Sequence, residues 1–234
     1  MKISINIKLI KRNKLLTQIT LYAAIGLIAI GLLMSLTNKE YTQIYLSYLV
    51  LLPAYVLMQI NVLMANKWGR TPRVDQIVTH SLKGLDNNYS LFHYTTPVSH
   101  LLVGPAGIWI IKPYHQHGII TYDENKKRYV QKGGGNLLTK LFAMDTLSDI
   151  ERESNRQITN LEKYFIKNSI KDYPKPMIVN VFFHPDAKIQ AKNAPEITIG
   201  INKLKDLIRH AVKKSPVRDE ITQKILTKLP DPEY

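Results

Sequence analysis

The chain has 234 residues, enough for a short apolar anchor and one further domain able to bury its own core. It contains no cysteine, which excludes a disulfide framework, a cysteine-ligated zinc site and a thiol nucleophile. The formal net charge of +14 points to an anionic partner, either nucleic acid or an acidic lipid surface, or to charge placed beside a membrane for topology.

In chain order, the first 14 residues read as a basic cytoplasmic N-terminus carrying Lys2, Lys8, Lys11, Arg12 and Lys14. Residues 15–64 form a two-helix transmembrane hairpin: Leu15–Leu36 and Ile44–Met64 are both uncharged and each has the length that crosses a ~30 Å hydrocarbon layer. Pro53 is tolerable inside the second helix as a kink, and Gln59 and Asn61 near its exit end reach headgroups or the partner helix. Gly31 and Ser35, four apart, allow close helix contact. The link Thr37–Gln43 is a tight turn holding only Lys39 beside Glu40, while Lys67, Arg70 and Arg73 follow the hairpin. The positive-inside rule therefore puts both ends in the cytoplasm, with residues 65–70 as a basic juxtamembrane linker.

A helix is expected from Thr71-Pro72 to near Gly84, with Val74, Ile77, Val78 and Leu82 on one face. Short strands follow at Tyr89–Thr95, Val98–Gly104, Gly107–Tyr114, Gly118–Tyr122 and Arg128–Gln131, two of them joined by the hairpin turn Gly104-Pro105-Ala106-Gly107. The triple glycine at 133–135 opens a linker up to Met144, and a long helix is expected from Asp145 until Pro174 and Pro176 end it. Met177–Phe183 is a continuous apolar run suited to a strand buried on both faces. A further strand at Glu196–Ile201 and amphipathic helices at Lys203–Val212 and Glu220–Leu229 complete the pattern. This order gives an α/β domain with a mixed central sheet flanked by helices over 71–213, and a C-terminal helix and tail over 214–234.

Val98–Gly118, VSHLLVGPAGIWIIKPYHQHG, resembles the nuclease-related domain family, NERD, a branch of the restriction-endonuclease-like nucleases. The likeness lies in Val98-Ser99-His100, in the Val103–Gly107 turn, in Ile108–Ile111 and in Gly118. It continues at Ser154-Asn155-Arg156-Gln157, like the family's Gln-containing helix, and at Ile178–Asp186. The resemblance implies a restriction-endonuclease-like fold and a metal-dependent nuclease ancestry. The family reaction needs an Asp on one strand and a Glu-x-Lys on its neighbour, since two carboxylates hold the divalent cation and the Lys assists the attacking water. Ser99, Lys112 and Tyr114 stand at those three positions. An ammonium in place of a carboxylate repels the cation, so the resemblance implies a pseudoenzyme with no catalytic residue, no metal and no cofactor.

The expected role is binding of nucleic acid or another anion, with Lys112 and Tyr114 sharing a strand face and Gln157 and His100 nearby as ligand-binding candidates. The rival readings are an active Mg²⁺-dependent nuclease drawing on Asp75 as a surrogate carboxylate, and a protein-interaction scaffold at the membrane. His115 and His117 face the same way on an extended segment, yet two such ligands do not make a metal site, and they read as an exposed loop pair.

Overall fold

The structure, a computed structural model, describes residues 1–37, 41–133, 147 and 150–230. The tight turn after Thr37 falls partly outside these residues, as do most of the linker after Gly133 and the expected helix start at Asp145. Of the described residues, 7–74 form one compact unit, and Met1–Asn6 join residues 75–133, 147 and 150–230 in another.

In the first unit, α1 (Ile7–Thr37) and α2 (Tyr41–Met64) are long and apolar enough to cross a membrane, and α2 runs on into a π-helical turn, Ala65–Gly69, where a basic linker is expected. Ile10, Thr17, Ala24 and Gly31 are buried on α1, and Ser47, Ala54, Asn61 and Trp68 on the other strand of the hairpin. Each series repeats every seventh residue, the spacing that keeps a helical seam facing its partner. The side chains are mostly small, which lets the two backbones approach. A Cβ on Gly31 would lie 2.8 Å from the Leu51 side chain and 3.5 Å from the Ser47 carbonyl oxygen. Ser35, the other half of the expected pair, is exposed, because a seam with a seven-residue repeat turns position 35 away from α2.

Asn61 reaches the partner helix: its Nδ2 donates to the Thr17 carbonyl at 2.6 Å and to Thr20 Oγ1 at 3.0 Å. Asn61→Leu is expected to weaken the hairpin by about 1 kcal/mol, the usual scale of such bonds between apolar helices, read from reversible unfolding in detergent. A loss near zero would show that the seam alone sets the register.

The second unit is a mixed sheet flanked by helices. Its main sheet has the order β1 (Lys2–Ile5), β2 (Ser90–His93), β3 (His100–Gly104), β4 (Gly107–Tyr114), β7 (Met177–Phe182) and β9 (Ile197–Gly200). Strands β2, β3 and β4 form an antiparallel meander; β1 is parallel to β2, and β4, β7 and β9 run parallel. A smaller sheet has the order β6 (Arg128–Lys132), β5 (Gly118–Asp123) and β8 (Ala187–Gln190).

Strand β1 was not expected. Lys2 and its neighbours read as a basic tail because KISI is four residues long and merges into an apolar helix, yet Lys2 pairs with Ser90 and Ile5 with His93. Strand β8 was likewise missed, and the first helix of this unit, α3 (Val74–Ser81), starts two residues beyond Pro72.

Both faces of the main sheet are covered, which explains why β4 and β7 lack the alternation of a half-exposed strand. On one face Leu91, Leu102, Trp109, Ile111, Val179 and Val181 pack against Val78 and Leu82 of α3 and Leu204 and Ile208 of α5 (Leu204–Lys214). On the other, Phe92, Leu101, Ile108, Ile110 and Ile178 meet Leu161 and Phe165 of α4 (Ile150–Lys167). Ile225 of α6 (Asp219–Leu226) also enters that cluster, so the C-terminal helix is part of the core rather than an appendage. In the β3–β4 hairpin, Gly107 takes φ +95°, a conformation L side chains rarely adopt, and Gly104 leaves its Cβ space to the Tyr89 ring.

Candidate functional site

Strand alternation decides which face each candidate occupies. Ile108 and Ile110 point to the α4 face, so Lys112 and Tyr114 follow them there, as the spacing predicts. Lys112 is only 5% exposed. Its Nζ donates to the Ile150 carbonyl and to Ser154 Oγ, each at 3.1 Å, and lies 3.7 Å from Glu153 Oε2 and 5.7 Å from the Tyr114 ring centroid. Burial lowers the Lys112 pKa, and the carboxylates of Glu153 and Glu196 oppose that shift. All three partners on α4 belong to its first turns, where an unbalanced cation is unfavourable; Glu151 and Glu153 offset it.

Gln157 joins this group indirectly. Its Nε2 donates to Glu153 Oε1 at 3.0 Å, one helical turn away, which orients the carboxylate that faces Lys112. Tyr114 stacks on Phe182 with ring centroids 5.3 Å apart.

The polar row extends across the sheet. Asn180 is the ladder partner of Lys112, and Thr198 of Asn180. Tyr129, from the smaller sheet, closes the row: Asn180 Nδ2 donates to its hydroxyl at 3.2 Å, and that hydroxyl lies 2.8 Å from Thr198 Oγ1 and 3.1 Å from Glu196 Oε2. Burial raises the Tyr129 pKa, so the phenol stays neutral. Asn180 Oδ1 is buried with no hydrogen-bond partner among the described residues. A cleft of about 270 Å³ opens beside the row, lined by Ser154, Asn155, Ile158, Met177, Glu196 and Ile197 among others.

The other candidates lie elsewhere. His100 shares a face with Leu102, opposite Lys112, and its Nδ1 is 2.7 Å from Nδ1 of His93. Thr79 Oγ1 lies 2.9 Å from His93 Nε2. Asp75, 1% exposed, sits one turn before Thr79 on α3, which packs on that same opposite face. The sheet therefore separates Asp75 from the Lys112 pocket. Ser99 precedes β3, half-buried, and its carbonyl accepts the Tyr94 N–H at 2.9 Å in the turn between β2 and β3. The His117 ring stands 4.7 Å from that of His184, and among the described residues no three His, Asp or Glu side chains converge as metal ligands would. No family model, curated protein or solved structure matches the chain.

Sequence reasoning missed Asn180, Tyr129, Glu153 and Glu196. One signal was present: an amide in the middle of MIVNVFF must find a partner once that strand is buried. The Tyr129 partner comes from a second sheet, which no local pattern discloses.

Proposed function

We propose that the chain is a membrane-anchored, non-cleaving relative of the nuclease-related domain proteins, which binds nucleic acid at the cytoplasmic face. The observation that carries the loss of catalysis is the Lys112 ammonium, buried against Ile150, Ser154 and Glu153. In the resemblance this position belongs to a metal-ligating carboxylate, and the protein now supplies its own cation there. A divalent ion would meet that charge at close range in a poorly solvated pocket, where repulsion is least screened.

The same burial moves the nucleic-acid contact away from Lys112 to exposed cations. Lys126, Lys127 and Arg128 are exposed around the β5–β6 turn, and Lys203, Arg209, Lys213 and Lys214 are exposed on and beside α5. Such charges bind phosphate without reading sequence, and their affinity falls steeply with salt.

The pairing of β1 with β2 supports a hairpin whose two ends lie on the same side of the membrane, because residues before and after it meet in one sheet. The excess of Lys and Arg at those ends favours the cytoplasm.

The test uses the full chain in nanodiscs of neutral lipid, offered single-stranded RNA and duplex DNA with Mg²⁺ or Mn²⁺. Binding without cutting is expected, with a salt slope that becomes shallower by about two to three on replacing Lys126, Lys127 and Arg128 by Ala. Cutting abolished by Asp75→Ala, or binding absent at low salt, would overturn the reading.

A further inference from the structure

The edge of the main sheet at β1 holds a cavity of about 540 Å³, within the size range of small-molecule sites. It lies between strands β1 and β2 and the end of α6, far in sequence from the Lys112 row. The parallel register sets Lys2 beside Ser90 and Ser4 beside Phe92, so these four side chains share the face that lines it. Asn88, just before β2, and Gln223 of α6 complete the polar lining.

Two of these residues are buried and polar. Ser4 is 3% and Ser90 7% exposed, and among the described residues neither hydroxyl makes a hydrogen bond within the protein. Neither hydroxyl is sealed from solvent, so water or a ligand in the cavity can bond to it. Here two such groups sit on neighbouring strands and open into the same space. Among the described residues that line it none is acidic, and Lys2 brings the only formal charge there. Phe92 adds an apolar wall.

We infer that this cavity binds a small phosphorylated sugar. The two serine hydroxyls and the amides of Asn88 and Gln223 match the alternating donors and acceptors of a sugar body. Lys2 matches a phosphate, and Phe92 gives a surface for a ring or the sugar's apolar edge. An apolar ligand would leave both hydroxyls unpaired, and a cationic one would meet Lys2 with no carboxylate among the described lining residues to answer it. A bound sugar phosphate bridges β1 and β2, so occupancy fastens the edge strand that precedes the apolar hairpin.

The experiment is calorimetric titration of the full chain in neutral-lipid nanodiscs with ribose 5-phosphate, AMP and inorganic phosphate. Ribose 5-phosphate or AMP is expected to bind saturably, and inorganic phosphate about tenfold more weakly because it offers no hydroxylated body. Ser90→Val and Lys2→Gln are each expected to weaken sugar-phosphate binding about tenfold, and ligand is expected to slow amide exchange at residues 2–5. Lys2 is exposed, so its variant reports even where Ser90→Val disturbs the strand. The inference fails if none of the three probes binds saturably. It also fails if inorganic phosphate binds as tightly as the sugar phosphates, or if neither variant changes affinity.

Discussion

Lys112→Glu is expected to destabilise the α/β domain by about 3–5 kcal/mol, whereas Lys112→Met is expected to stay within about 1 kcal/mol of the unaltered chain. The glutamate would put a second carboxylate beside Glu153 in a space where little solvent reaches, and would leave no donor for Ser154 Oγ. Methionine keeps the aliphatic volume and removes the desolvation cost of the ammonium. Ile150 still has its bond from Ser154, at 2.8 Å, and Glu153 is 43% exposed, so water takes over its solvation. Denaturant unfolding of the full chain in detergent separates the two outcomes. Equal losses for both variants would mean that the cation itself, rather than the filled space, holds α4 to the sheet.

The pH dependence follows from the same burial. Because the folded-state pKa of Lys112 lies below its ordinary 10.5, the unfolded chain binds more protons between those two values, and the Lys112 contribution to stability rises with pH across that window. Lys112→Met removes this rise. Tyr129 acts in the opposite sense above pH 10, where the unfolded phenol ionises and the buried one does not. The difference between the unaltered chain and Lys112→Met isolates the lysine.

The second large effect is expected at the N-terminal strand. The N–H of Lys2 donates to the Tyr89 carbonyl at 2.8 Å and that of Asn6 to His93 at 3.0 Å, so by alternation Ser4 donates inward while Ile3 faces the free edge. Ser4→Pro is therefore expected to cost about 2–3 kcal/mol and to release the strand, and Ile3→Pro less than about 1 kcal/mol. Amide exchange at Leu91 and His93 reports the release. Equal tolerance of both prolines would show that β1 contributes little to the sheet.

The signals that survive in a sequence are local ones. The apolar lengths of the two N-terminal helices, the Gly104–Gly107 turn and the run at Met177–Phe182 could all be read directly, as could the shared face of Lys112 and Tyr114. Strand β1 was hidden because its partner, β2, lies beyond the whole hairpin. The seam of the hairpin was legible at the wrong period: Thr17, Ala24 and Gly31 recur every seven residues among large aliphatic side chains, while attention to a four-residue spacing picks out Ser35. At Lys112 the sequence gives the residue's face but not its surroundings. Whether an ammonium reaches solvent or is enclosed depends on how closely α4 descends on the sheet, and that is fixed by Ile150, Leu161 and Phe165 packing from a distance in sequence.

The pairing of β1 with β2 also orders events during synthesis. Strand β1 is synthesised before its neighbour and both apolar helices are made between them, so the outermost strand of the sheet waits, unpaired, through their synthesis. The sheet is thus completed only after the helices have been made, and a chain in which β1 failed to return would leave β2 with a bare edge, a template for aggregation.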